Sequence, residues 1–102
     1  MYSVLVSEQG FEVRESSTNL DLQSLERLTG AEGEDVEMIK NEFVDRSLVI
    51  LANKNSTGQP SFLTKTGKEL RGLLVIVTLN LHNHFFLLGA TQVKSLVSQL
   101  LR

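Results

Sequence analysis

Four bases stand in the polar stretch between Asn53 and Gly72, namely Lys54, Lys65, Lys68 and Arg71, and they face a single acid, Glu69, for a net of +3 in a chain whose overall charge is -2. Such a set recognises anions, either carboxylates on a protein surface or phosphates along a nucleic acid. The stretch opens Asn-Lys-Asn-Ser-Thr-Gly-Gln-Pro and closes Lys-Thr-Gly-Lys-Glu-Leu-Arg-Gly. Both ends carry turn chemistry, because Gly admits positive φ and Pro fixes φ near -65°. A basic, turn-rich excursion from an ordered scaffold is where a small domain meets a partner. The expected recognition residues are therefore Asn53, Lys54, Asn55, Gly58, Pro60, Lys65, Lys68 and Arg71. The bases act by charge, the asparagines by hydrogen bonding, and Gly58 and Pro60 by fixing the turn.

Catalytic chemistry finds less to work with. His82 and His84 are two apart and share a face on an extended segment, but two imidazoles are too few for a zinc or copper site and no acid follows Glu69. Thr66-Gly67-Lys68 ends like a phosphate-binding loop, yet Phe62 and Glu69 occupy the positions where that motif needs Gly and a hydroxyl residue. Glu32, Glu34, Asp35 and Glu37 are dense, but they lack the alternating ligands and closing bidentate Glu of a calcium loop. Cysteine is absent, so no thiolate chemistry or disulfide is available. The expectation is no catalytic constellation, no metal and no cofactor.

The elements that must position the basic stretch are legible on either side of it. Leu48–Ala52 is a continuous apolar run, the pattern of a central strand buried on both faces. Leu73–Leu79 is rich in branched residues and starts directly after Gly72. Tyr2–Val6 and Phe11–Glu15 alternate about Gln9-Gly10 as a hairpin. Ser16-Ser17-Thr18-Asn19 favours a cap for a helix over Leu20–Leu28, ended by Thr29-Gly30. Val36–Lys40 reads as a strand reaching towards Phe43, Ser61–Thr64 as a short strand inside the crossing, and His84–Leu88 as a return strand after an Asn80–Asn83 turn. Thr91 then caps a final helix whose Val93, Leu96, Val97, Leu100 and Leu101 form an amphipathic stripe. The order ββα-ββ(β)-ββα predicts an α+β domain, a mainly antiparallel sheet with two helices packed on one face.

A chain of 102 residues makes a single domain, 1–102. Its 41% hydrophobic and 22% charged residues are those of an ordinary globular protein rather than a disordered or membrane-spanning one. No apolar run approaches the ~20 residues of a membrane span, and the N-terminus lacks the basic start of a signal peptide, so a cytoplasmic protein is expected. Residues 1–52 hold eleven acids and four bases, a net of -7, whereas residues 53–102 hold one acid and six bases, a net of +5. This division becomes a bipolar surface only if the two halves stay apart in space; interleaved in one sheet, much of it cancels.

The order of these signals resembles the small phage and bacterial proteins of domain of unknown function family 3846. The likeness is carried by Met1–Val6, Leu51-Ala52-Asn53, Gly58-Gln59-Pro60, Arg71–Val77 and Phe85–Leu101. This chain departs from that pattern in having Gln59 and Phe62 around the Pro turn, and Leu73 where an acid often opens the strand. The resemblance implies a mobile-element setting and a compact α+β fold, and it implies no activity. The reading that follows is a non-enzymatic interaction module, an adaptor or inhibitor, recognising an as yet unidentified protein through residues 53–71. Weak, salt-sensitive nucleic-acid binding by the same bases is the alternative, opposed by the chain's overall acidity. A small-ligand binder or enzyme is a third reading with no supporting constellation. The helix stripe is expected to pack on the sheet, and a homodimer through that stripe or through an edge strand such as the Tyr2 hairpin is compatible with it.

Overall fold

The computed structural model describes residues 1–16, 27–30, 33–82 and 84–101. Strands β1 (Tyr2–Ser7), β2 (Gly10–Glu15), β3 (Val36–Ile39), β4 (Leu48–Asn53) and β7 (Leu74–Leu79) form one sheet in the order β2-β1-β7-β4-β3, and β8 (Phe85–Phe86) pairs with the end of β7 that β1 leaves free. Every pairing is antiparallel. A bridge between Tyr2 and Leu88 brings β8's continuation into line with β1. Strands β5 (Pro60–Leu63) and β6 (Glu69–Arg71) form a separate two-stranded hairpin in the connection between β4 and β7.

The two central strands are buried on both faces, which is why their sequences run apolar without alternation. Val4, Val6, Leu48, Ile50, Leu74, Ile76 and Leu88 point to one face, where Leu96 of helix α1 (Ala90–Leu100) and Leu70 of β6 meet them. Leu5, Val49, Leu51, Val75, Val77 and Leu87 point to the other, where Leu28 packs against them. The assignment of two helices to one face is thus corrected. Among the described residues α1 is the one α-helix of that length, and Leu28, the end of the first expected helix, belongs to the opposite face. Arg27 and Leu28 are helical and Thr29-Gly30 turn as expected, while the rest of the 20–28 helix lies outside the described residues.

Other boundaries move for local reasons. Strand β3 stops at Ile39 because Asn41 turns the chain at φ 65°, and Phe43 enters the core instead of extending the strand. The N-cap of α1 is Gly89 rather than Thr91, with the Gly89 N–H donating to Gln92 Oε1 at 3.1 Å. Gln92 Nε2 also donates to Asp45 Oδ2 at 3.4 Å, and Val44 N–H donates to Gln99 Oε1 at 3.2 Å, so the helix is tied to the turn preceding β4. Of the apolar stripe, Leu96 is fully buried, Val93 and Leu100 flank it, and Leu101 lies beyond the helix end and exposed.

Candidate functional site

The 53–72 crossing is an ordered hairpin on a short stalk. In the stalk, Asn53 Oδ1 accepts from Asn55 N–H at 2.9 Å and Asn53 O accepts from Ser56 N–H at 3.2 Å, an Asx-type turn that reverses the chain after β4. Gly58 sits at φ 110°, and Pro60 pairs with Arg71 at the start of the hairpin. The Ser61 hydroxyl donates to Gly72 O at 2.5 Å, fastening β5 to the point where the chain re-enters the sheet.

Thr64 organises the tip. Its N–H donates to Lys68 O at 2.9 Å, its Oγ1 accepts from Lys68 N–H at 3.0 Å and lies 3.0 Å from Thr66 Oγ1, and its O accepts from Gly67 N–H at 3.0 Å. Thr64 is itself buried and anchors these partly buried bonds, so Thr66-Gly67-Lys68 is a structural turn. Lys65 N–H is held by Glu42 Oε2 at 2.9 Å. On the inner side Phe62 meets Phe43 with ring centroids 6.2 Å apart, and Leu70 is buried in the core. On the outer side Leu63 is 64% exposed.

The expected basic patch is partly neutralised. Lys68 is ion-paired with Glu37 of β3. Arg71 is bonded to Gly58 O and paired with Glu69 Oε2 at 2.7 Å, so it braces the stalk. The side-chain ammonium groups of Lys54 and Lys65 have no carboxylate partner among the described residues, although the Lys65 N–H is bonded to Glu42. The Lys68–Glu37 pair joins the acidic and basic halves, and β1 of the first half pairs with β7 of the second, so the sequence asymmetry is interleaved in space.

The expected residues do not form one surface. Asn53, Lys54, Lys68 and Arg71 border a shallow cleft of about 170 Å³, Gly58 borders a second beside the β1–β2 turn, and Lys65 borders a third of about 410 Å³. That third cleft is shared with Asn41, Val44 and Arg46, which the sequence reading did not select. Val44 is 84% exposed, and Arg46 has no carboxylate partner among the described residues.

His82 and His84 lie with ring centroids 6.5 Å apart on a turn held by Asn80 Oδ1, which accepts from His82 N–H at 3.0 Å and from His84 N–H at 2.9 Å. Among the described residues no three His, Asp or Glu side chains converge as a metal site. Asp45 has its carboxyl held below the usual value, chiefly by the hydroxyl of Ser47 at 2.6 Å and then by Ser47 N–H at 2.9 Å, with Gln92 adding to them against the effect of burial. The Ser47 hydroxyl and N–H and the Gln92 amide are its described partners, and these bonds shape the turn into β4. No described helix is long and apolar enough to cross a membrane. Comparison with family models, curated proteins and solved structures returned no match.

Proposed function

We propose that the protein is a non-enzymatic interaction module that recognises another protein through the tip of the β5–β6 hairpin. The observation that carries this reading is a rigid tip, fixed by the buried Thr64 network, that presents Leu63 and Lys65 outward. An apolar contact beside a cation, held in one conformation before binding, lowers the ordering cost of association. Val44 and Arg46 extend the surface across the cleft they share with Lys65. Lys68 and Arg71 support the hairpin from within it. The resemblance to domain of unknown function family 3846 supplies the proposed setting, a mobile element or related bacterial locus, with an adaptor or inhibitor role.

The test is affinity capture of the tagged protein from host lysate at moderate salt, beside the Leu63→Asp/Lys65→Glu variant. A stoichiometric protein lost in the variant, with circular dichroism and melting unchanged, is the expected result. A protein retained at full yield by the variant refutes the assignment to the tip. Nucleic acid captured in place of protein, and released with a log–log salt slope of about -0.7 per phosphate on single strands, would replace this reading with the nucleic-acid one. The ion pairing of Lys68 and Arg71 counts against that outcome, because it sets a carboxylate beside two of the four expected bases.

A further inference from the structure

We infer that the outer edge of β2 pairs with β2 of a second copy of this chain, about a two-fold axis at Val13. Strand β2 closes one side of the sheet, and Glu12, Val13, Arg14 and Glu15 are all exposed. Its hydrogen-bonding parity is fixed by Ser16 N–H, which donates to Met1 O at 2.8 Å in the β1–β2 register Tyr2↔Glu15. Even-numbered residues of β2 therefore bond to β1, and the N–H and C=O groups of Phe11, Val13 and Glu15 point to the open edge. Among the described residues these outward groups meet no strand.

A symmetric antiparallel pair must match outward groups with outward groups, so its axis falls at or between odd positions. An axis midway between Phe11 and Val13 sets Glu12 against Glu12 of the second copy. One between Val13 and Glu15 sets Arg14 against Arg14. Like charges directly opposite destabilise a sheet. The axis at Val13 instead places Glu12 opposite Arg14 of the second copy, twice by symmetry, and Val13 opposite Val13. It also uses the whole outward row, with Phe11 and Glu15 exchanging bonds at either end.

Geometry favours the ion pairs as well. Glu12 and Arg14 would form non-hydrogen-bonded pairs across the new ladder, the class in which side chains stand closest. Within one copy the same two side chains are 3.8 Å apart along the strand, so both already lie on one face. Phe11 and Val13 lie on the other face with Val6 and Val4, the side that α1 covers. There an apolar groove of about 680 Å³, lined by Tyr2, Val93 and Val97, lies between the start of β1 and α1. Because a two-fold between paired strands is perpendicular to the sheet, the grooves of both copies lie on one side of the joined sheet.

The experiment is sedimentation velocity over a wide range of protein concentration, because the population of a reversible dimer rises with concentration. The unmodified chain should pass from monomer to dimer, and a chain that remains monomeric throughout overturns the proposal. Val13→Pro deletes an outward N–H without touching the β1 ladder, a position where Pro is tolerated on an edge strand, and it should give a folded monomer. Arg14→Glu should raise the dimer Kd roughly 10-fold or more by setting acids against each other. The Glu12→Arg/Arg14→Glu exchange restores opposite charges in this register alone and should return the Kd to within about threefold of the original. A dimer indifferent to Val13→Pro, or a charge exchange that fails to rescue, refutes the β2 interface and its register.

Discussion

Gly72 is the residue through which the hairpin rejoins the core, and Gly72→Ala should be the most damaging one-carbon change in the chain. Gly72 has φ 80°, where an L residue pays about 1–2 kcal/mol. An added Cβ would also stand 2.1 Å from Ser56 Oγ and 3.0 Å from Ser56 Cβ. The hydroxyl can rotate away at about 0.5–1.5 kcal/mol for a displaced rotamer, but the Cβ contact requires the stalk itself to give by a few tenths of an ångström. The reduced freedom of Ala in the unfolded chain returns about 0.4–1 kcal/mol. Those terms sum to a loss of about 0.5–3 kcal/mol, equivalent to roughly 2–24 °C in Tm for a domain of this size. Urea denaturation of four proteins, the original, Gly72→Ala, Ser56→Gly and the double variant, separates the backbone cost from the clash. The cycle should show a favourable coupling of about 1 kcal/mol, because Ser56→Gly removes both atoms that the new methyl meets. Additive effects within about 0.3 kcal/mol would refute the steric account and leave the left-handed backbone as the whole cost.

Leu96, the fully buried residue of α1, should lose about 2–5 kcal/mol on conversion to Ala, with the m-value unchanged in urea melts. The depressed Asp45 carboxyl contributes stability that is present above its unfolded value near 3.8 and is lost as pH falls through the lower folded value. Asp45→Asn should therefore flatten the stability–pH curve below about pH 4 and lower the plateau above it, read by thermal melts from acid to neutral pH. Asn41→Gly should be within about 0.5 kcal/mol of the original, whereas Asn41→Val should cost about 1–2 kcal/mol, because φ 65° excludes a β-branched residue; equal melting temperatures would contradict the assigned turn.

What the sequence disclosed depended on how far each element's environment repeated along the chain. Leu48–Ala52 and the strand from Leu74 were legible because burial on both faces leaves an uninterrupted apolar signature, and the Tyr2 hairpin because Phe11 and Val13 of β2 alternate with charged residues beyond the Gln9-Gly10 turn. Strand β6 was not, since Glu69-Leu70-Arg71 is too short to show a period and its one core residue is Leu70. The basic cluster was legible as composition but not as a site. Its pairing with Glu37 joins residues 31 positions apart, and no local rule foretells which acids the fold will bring to which bases. Arg46 and Val44 escaped for the converse reason, being placed beside Lys65 only by the turn into β4 and its ties to Gln92 and Gln99.

The inward side of the hairpin has a consequence for how binding would be felt. Leu70 and Phe62 seat β5–β6 on the same apolar layer that α1 covers, so the hairpin and the core share one set of packed side chains. A hairpin seated in this way should not open as an independent unit, and the amide protons around Thr64 should exchange at the pace of the central strands rather than that of a surface loop. Any molecule that holds the tip then holds the entire domain. At a ligand concentration about a hundred times its Kd the gain is about 2.7 kcal/mol, distributed to every residue of the sheet through mass action. The protein thereby becomes its own reporter, since a rise in melting temperature alone would reveal an occupant of the hairpin before that occupant had been identified.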